Sequence, residues 1–262
     1  MWNEHLNSYL INDFDVEGVT KRVIKWIQDW FAENGPESPA VIGLSGGKDS
    51  TLVATLCVKA LGKDRVFGIL MPDHEQSDIA VSNAVAKWLD IDYSIVNIGP
   101  ATDGIKEAIK SAQNYTKSGK AFEFTTQSMI NIAPRIRMTT LYAASQTMNG
   151  RVSNNCNRSE NYVGYSTIFG DAAGDFSPLH NLTVAEIITI GEYLGVPEEF
   201  IHKAPSDGLT GRTDEDNFGF TYEQLDTLIL TGECESEELR SKIEKRHAAN
   251  TFKLKPMPTF VP

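Results

Sequence analysis

The sequence predicts a doubly wound α/β fold: a mostly parallel sheet of about five strands with helices on both faces. Three observations carry this. Short apolar runs of strand length alternate with longer stretches of helical periodicity. No Asn-Gly type of hairpin signal joins closely spaced strands, so the connections are crossovers. A glycine-rich loop follows the first apolar run, at the carboxyl end of a strand, where ligands bind in such sheets.

The elements follow in order. From Asp15 to Asn34 apolar residues such as Val19, Val23, Ile27 and Phe31 recur at helical spacing, and Gly35 supplies the stop. Pro36 and Pro39 bracket a loop before the buried strand Ala40-Val41-Ile42-Gly43-Leu44. Helical patterning returns from Thr51 to Leu61 and ends at Gly62. Val66 to Met71 is a second buried strand, with a helix from about Asp78 to Leu89 behind it. Tyr93 to Ile98 is a third strand, and Ile105 to about Tyr115 a third helix. Lys117 to Gln127 is mostly polar and reads as an exposed connection. Pro134 fits the first turn of a helix running to about Met148, because its missing N–H is not needed there. Asn149-Gly150 ends that helix, and Arg151-Val152-Ser153 is a short strand. Thr183-Val184-Ala185-Glu186 matches a capping box that opens another helix. Ala204 to Phe220, rich in Gly, Asp and Thr, reads as a long loop of the kind that forms lids. Two short helices are expected near Tyr222–Leu230 and Glu237–His247, then an irregular tail with three prolines. With no repeat, low-complexity tract or linker, a single domain over 1–262 is expected. The doubly wound pattern is Rossmann-like.

Charge and composition exclude several function classes. The formal net charge is −11, from 35 acidic and 24 basic residues, which disfavours non-specific binding to nucleic acid or anionic membrane. Any phosphate ligand must then be held by locally concentrated donors. Cys57, Cys156 and Cys234 form no C-x-x-C pair, which argues against a zinc site or disulfide framework. The N-terminus carries no signal-peptide pattern, and no apolar run reaches the length of a membrane span. A cytoplasmic protein is expected.

The chemistry is concentrated in Ser45-Gly46-Gly47-Lys48-Asp49-Ser50. Adjacent glycines let the backbone turn tightly and bring several N–H groups to a ligand. The helix that follows adds the partial positive charge of its N-terminus. Two hydroxyls and the Lys48 ammonium complete a phosphate cradle. The glycine spacing is wrong for a Walker loop. An acid in a phosphate loop repels the ligand unless it holds a cation, so Asp49 makes sense as a ligand to Mg²⁺ that also binds phosphate oxygens. The plainer alternative is a glycine-rich turn capped by serines; the order strand, S-G-G-K-D-S, helix weighs against it.

This loop resembles that of the ATP pyrophosphatases with an S-G-G-x-D-S loop. These include NAD, GMP and asparagine synthetases and tRNA-modifying thiolases. The resemblance implies cleavage of ATP to AMP and pyrophosphate through an adenylated substrate. Further segments are similar to the ammonia-dependent NAD synthetases, from roughly Val16 to Pro258. Asn131 to Met138 is similar to the R-x-R-M helix of that family. Arg135 and Arg137 lie two apart and cannot share a helix face, so one reaches the ligand while the other pairs structurally. The resemblance assigns the deamido-NAD contact to Arg135. Asn157-Arg158-Ser159-Glu160 with Gly170-Asp171 and Asp175 resembles the N-x-S-E and G-D-x-x-x-D run, implying Glu160 as a second Mg²⁺ ligand and Asp175 as a deamido-NAD contact. Pro205 to Leu209 with Thr213 to Asp216 resembles the mobile loop over the ATP site, with Ser206 contacting nucleotide. ATP contacts at Gln76 and Asn155 and a deamido-NAD contact at Lys253 are implied in the same way.

The chain departs from the family pattern at several positions. Asn154-Asn155 stand where Gly-Thr is common, Ile168 and Val184 where a ligand-contacting lysine is common, and Phe252 replaces a histidine. Arg158 and Arg212 are candidates to supply replacement contacts. The expected reaction is amidation of deamido-NAD to NAD with ATP, Mg²⁺ and ammonia, with Lys48 and Asp49 catalytic. Ammonia is the expected donor because the chain has no residues to spare for an amidotransferase domain, unless a separate subunit supplies it. The alternatives are another carboxylate amidation or a nucleotide-binding sensor that has lost turnover; tRNA thiolation fits poorly, since paired catalytic cysteines are lacking. The resemblance also implies a homodimer, for which Trp2, Leu6, Tyr9, Leu10 and Ile11 are interface candidates.

Overall fold

Side chains within the two central strands point alternately to opposite faces, and this divides the core. Ala40 and Ile42 of β1 (Ala40–Gly43) and Val66 and Leu70 of β2 (Val66–Leu70) join the larger apolar cluster. Val41 and Ile69 point the other way, into a smaller cluster with Ala133 and Ile98. The computed structural model describes residues 13–75, 79–112, 117, 124–203 and 213–261. Gln76, Ser206, Arg212 and the apolar N-terminal residues 2–11 lie outside the described residues.

Four strands form the sheet among the described residues. They run parallel in the order β3-β2-β1-β4, with β3 spanning Asp92–Ile95 and β4 Arg151–Val152. The α/β class is as expected, while the strand count is four rather than about five. The position of a fifth strand beside β4 is reduced to a single parallel bridge, Ser153 to Phe176. Pro178 follows two residues later and has no N–H to extend the ladder. Pro72 likewise shortens the expected third strand: past Ile95 only single bonds from Val96 N–H to Leu70 O and Ile98 N–H to Pro72 O continue the pairing.

On the larger face lie α1 (Val16–Asn34), α2 (Lys48–Leu61) and α3 (Ile79–Leu89). On the other face pack α4 (Gly99–Lys110), α5 (Thr126–Ile130) and α6 (Ile132–Thr147). Helix α2 starts at Lys48, ahead of the apolar pattern, because its first turn is polar. Helix α4 starts six residues before Ile105, with Pro100 in its opening turn. The short α5 is capped by Thr125 and occupies the end of the expected polar connection.

The second half of the chain adds α7 (Arg158–Val163), α8 (Val184–Tyr193), α9 (Glu198–Ile201), α10 (Asp214–Phe218), α11 (Tyr222–Thr231) and α12 (Glu237–Asn250). The capping box at Thr183 and Glu186 opens α8 as its sequence indicates. Helices α11 and α12 pack on α7, and α8 packs on α1 and α2. No helix among the described residues is long and apolar enough to cross a membrane.

Ile42 is fully buried at the centre of the sheet. Its replacement by Ala removes three methyl(ene) groups from packed surroundings and should cost about 2–5 kcal/mol of stability, read from urea unfolding of the wild-type and Ile42→Ala proteins.

Candidate active site

Strand β1 is where the sheet changes direction: β2 and β3 extend to one side of it and β4 lies on the other. A crevice opens at such a point beyond the strand ends. Here it is a cavity of about 840 Å³ lined by Gly43 of β1, Val152 of β4, the Ser45 loop and parts of α6, α7, α10 and α12. That volume suits a nucleotide-sized ligand.

The loop that enters this cavity is tied to itself. Gly46 has φ +75, and a Cβ there would lie 2.9 Å from the backbone nitrogen of Ser82, so only glycine fits. The Ser45 and Ser50 hydroxyls lie 3.1 Å apart, and the Gly47 N–H donates to Ser45 Oγ at 3.2 Å. Gly47 is the N-cap of α2 and no side chain caps the first turn. The N–H groups of that turn are thus left to a ligand, with the helix dipole behind them.

Carboxylates surround Lys48. Its ammonium donates to Asp49 Oδ2 at 2.9 Å and stands 5.4 Å from the centre of the Tyr222 ring. The side chain is only 2% exposed. Burial alone would discharge it, but Asp49, Glu160 and Asp214 together hold its pKa above the usual lysine value. For Glu160 burial and then the Asp49 charge raise the carboxyl well above the usual range, against Lys48 and the Asn157 N–H. Asp214 is raised chiefly by burial, with Lys48 and the Tyr222 hydroxyl opposing; Tyr222 Oη donates to Asp214 Oδ2 at 2.9 Å. Asp49 and Glu160 offer hard oxygen donors whose repulsion a divalent cation would relieve. That donor set suits Mg²⁺, which takes one or two carboxylates and completes its shell with phosphate and water. No group of three or more His, Cys, Asp or Glu residues among the described residues forms a dedicated protein cage.

Ser45, Gly47, Lys48, Asp49, Ser50, Asn155, Glu160 and Lys253 all line the cavity. Gly46 shapes the turn from behind. Asn155 donates from Nδ2 to Gly43 O at 3.2 Å and accepts from Ser153 Oγ at 2.8 Å. Asn154 is occupied internally, by Asp171 O, the Cys156 N–H and the Ser177 hydroxyl. Lys253 donates to Gly164 O at 2.8 Å and Ser166 O at 3.0 Å, tying the chain after α12 to the end of α7. Asp175 lies off the cavity, accepting from the Val152 N–H at 2.8 Å and the Tyr142 hydroxyl at 3.1 Å. Arg135 is exposed, with one long bond to Ile168 O at 3.4 Å. Val184 is buried in the core and Arg158 is exposed away from the cavity.

Of three further residues at the cavity, only Arg246 went unmarked in the sequence; Arg137 stood as the structurally pairing arginine and Asp214 lay within the Thr213 to Asp216 segment. Arg137 faces it from α6, donating Nε to Met71 O at 3.2 Å, and burial lowers its pKa. Arg246 of α12 faces it with its Nε unbonded and its guanidinium 5.0 Å from the Phe218 ring centre. Asp214 follows Thr213, whose reciprocal bonds with Asp216 cap α10; the T-D-E-D spacing carried that signal.

The NAD synthase family model matches residues 19–257. The chain belongs to the NAD synthase family. It is 38% identical to the NH(3)-dependent NAD(+) synthetase of Pyrococcus furiosus over 210 residues, covering 80% of this chain and 77% of the relative. Among solved structures it resembles an NMN synthetase from Francisella tularensis (TM-score 0.83, 32% identity, 94% of this chain and 99% of the other). It also resembles an NH3-dependent NAD synthetase from Campylobacter jejuni (TM-score 0.73, 33% identity, 95% and 99%). The family assigns the chain to the ATP-dependent ligases.

Behind the cavity a buried carboxylate joins three helices. Asp226 of α11 accepts from the Ser159 hydroxyl of α7 and, at 2.9 Å, from the Ala185 N–H of α8. Burial raises its pKa to about 7, against those two donors. A carboxyl raised in the folded state holds its proton after the unfolded chain has lost it, so this group's contribution to stability falls from about pH 4 to about pH 7. Asp226→Asn removes that slope. The melting temperature of the variant relative to wild type should therefore climb across this range and level off above it, as followed by scanning calorimetry.

Proposed function

We propose that the protein converts deamido-NAD to NAD with ATP, Mg²⁺ and ammonia through an adenylated intermediate. The observation that carries this is one cavity lined both by the uncapped first turn of α2, which bears Asp49, and by Glu160 of α7, in a chain of the NAD synthase family. The substrate carboxylate attacks the α-phosphorus of ATP, forming a carboxyl–phosphate bond as the bond to pyrophosphate breaks. The first-turn N–H groups of α2, the Ser45 and Ser50 hydroxyls and the Lys48 ammonium hold the phosphate oxygens on which charge builds. Asp49 and Glu160 would hold Mg²⁺, which neutralises phosphate charge when bound. Ammonia then attacks the adenylate carbonyl, loses a proton, and AMP leaves with the bonding pair. In this reading the protein contributes position and charge rather than covalent chemistry. The residues around Ser206 would shield the adenylate from water.

The half-buried, cavity-lining position of Arg137, against the exposed Arg135, favours Arg137 as the anion contact from α6. A homodimer and a cytoplasmic setting belong to the same proposal; the free state of Cys57, Cys156 and Cys234 suits a reducing compartment.

A second reading is favoured by the higher TM-score to the NMN synthetase: the acceptor is nicotinate mononucleotide, which carries the same reactive carboxylate. Incubation with ATP, Mg²⁺ and ammonium and either acceptor, followed by chromatography of AMP, NAD and nicotinamide mononucleotide, separates the two. NAD formed at the higher kcat/KM supports the first reading, and preferential formation of the mononucleotide amide replaces it. Neither amide, with ATP bound but uncleaved, would leave a nucleotide sensor. In the same assay Arg137→Ala should lower kcat/KM by about 10- to 150-fold, the scale of a lost charge-assisted bond of about 1.5–3 kcal/mol. Arg135→Ala should change it less than threefold; the reverse order would return the contact to Arg135.

A further inference from the structure

The Asp49 and Glu160 carboxylates come from opposite halves of the chain, and one residue bonds to both, through its side-chain amide to Asp49 and its backbone N–H to Glu160. Asn157 is fully buried. Its Oδ1 accepts the Glu160 N–H at 2.9 Å, its own backbone N–H donates to Glu160 Oε2 at 3.1 Å, and its Nδ2 donates to Asp49 Oδ1 at 3.0 Å. The first two bonds are the capping box of α7. The third has no part in capping. Only one orientation of the amide satisfies both neighbours, because the Glu160 N–H needs an acceptor and the Asp49 carboxylate needs a donor.

We propose that Asn157 is a positioning residue that sets the geometry of the Asp49–Glu160 pair toward its divalent cation. The capping box bends Glu160 back over the start of α7 and occupies Oε2. Asp49 is held at both oxygens, by Asn157 on Oδ1 and by Lys48 on Oδ2. The two carboxylates repel each other, and burial amplifies that repulsion. Without a tie between α2 and α7, the repulsion and the flexibility of the side chains would separate them. Outer partners of this kind tune metal affinity by about 10–100-fold. The proposal rests on the reading of Asp49 and Glu160 as the Mg²⁺ ligands, and not on which nicotinate carboxylate is amidated.

Serine caps a helix about as well as asparagine but cannot reach across to Asp49. Asn157→Ser therefore separates positioning from capping, whereas Asn157→Ala removes both. The test is binding of Mn²⁺ to the full chain with α,β-methylene-ATP present, followed by the electron paramagnetic resonance signal of free Mn²⁺. Asn157→Ser should weaken Mn²⁺ binding about 10–100-fold, keep its melting temperature close to wild type, and raise the Mg²⁺ concentration for half-maximal turnover by a similar factor. Asn157→Thr, which also retains a cap, is the second variant should the serine variant not fold. Combination with Asp49→Asn should then cost less than the sum of the single changes, because both act on one bond. Wild-type Mn²⁺ affinity in either cap-retaining variant, or strict additivity in the combination, overturns the proposal. A wild-type protein that takes up no Mn²⁺ with the nucleotide overturns it together with the metal-site reading. Failure to amidate deamido-NAD with Mn²⁺ binding intact bears on the substrate alone.

Discussion

The burial of Lys48 among Asp49, Glu160 and Asp214 is the constraint on which the site depends. One ammonium faces three carboxylates in a space nearly closed to water, and a single positive charge cannot balance them. Burial raises the pKa values of Glu160 and Asp214, and the Asp49 charge adds to the rise at both. Such a cluster is stable only if it is partly protonated or receives further positive charge. A phosphate ligand alone would worsen the imbalance, while one arriving with a divalent cation corrects it. Under the proposed reading, nucleotide and metal are therefore coupled ligands, and neither is expected to bind strongly alone at neutral pH.

The fold supplies this arrangement through the positions of short helices. Strand β1 ends at the switch point of the sheet, so α2 starts at the crevice with its first-turn N–H groups directed into it. Helix α7 has only six residues, too few to hold its orientation by internal bonding alone. It is fixed from outside, by the Ser159–Asp226 contact, by packing of α11 and α12, and by the Lys253 bonds to Gly164 and Ser166. Of these supports, Lys253, Gly164, Ser166 and part of α12 belong to the cavity lining, while the Ser159–Asp226 contact lies behind it. Substitutions at Ser159 or Asp226 can therefore change the site without altering its lining.

The sheet and the phosphate loop were legible because their signals are local. Val66 to Leu70 and the S-G-G-K-D-S loop carry their meaning in consecutive residues, and the capping box at Thr183 and Glu186 does the same. Helix α7 was not legible as a helix, since its six residues complete less than two turns and show no period; family likeness marked only its N-x-S-E residues. The fifth strand failed for a different reason: Phe176 pairs with Ser153, but Pro178 stops the ladder, and a short extended run does not reveal how many of its residues find partners. Arg135 and Arg137 show the limit of motif reasoning. Periodicity says that they face different ways, but which one meets the ligand depends on the side of α6 packed against Met71. That is a tertiary fact with no local trace.

The departures from the family pattern take on a physical meaning in this setting. Val184 cannot stand in for a ligand-contacting lysine, because its side chain is enclosed in the core beside the Ser159–Asp226 contact. The cavity instead gathers cations from other elements: Arg137 from α6, Lys203 beyond α9, Arg246 from α12 and Lys253 after it. In a chain of net charge −11 these form the local concentration of positive charge that an anionic dinucleotide or mononucleotide requires. Arg246 is half-enclosed between Tyr165 and Phe218 with its Nε unbonded, and Arg137 is largely desolvated. Burial makes such groups costly when unpaired and correspondingly strong anion partners when paired. Under the proposed reading, these cations would hold the anionic substrate in the cavity they share with the carboxylates around Lys48.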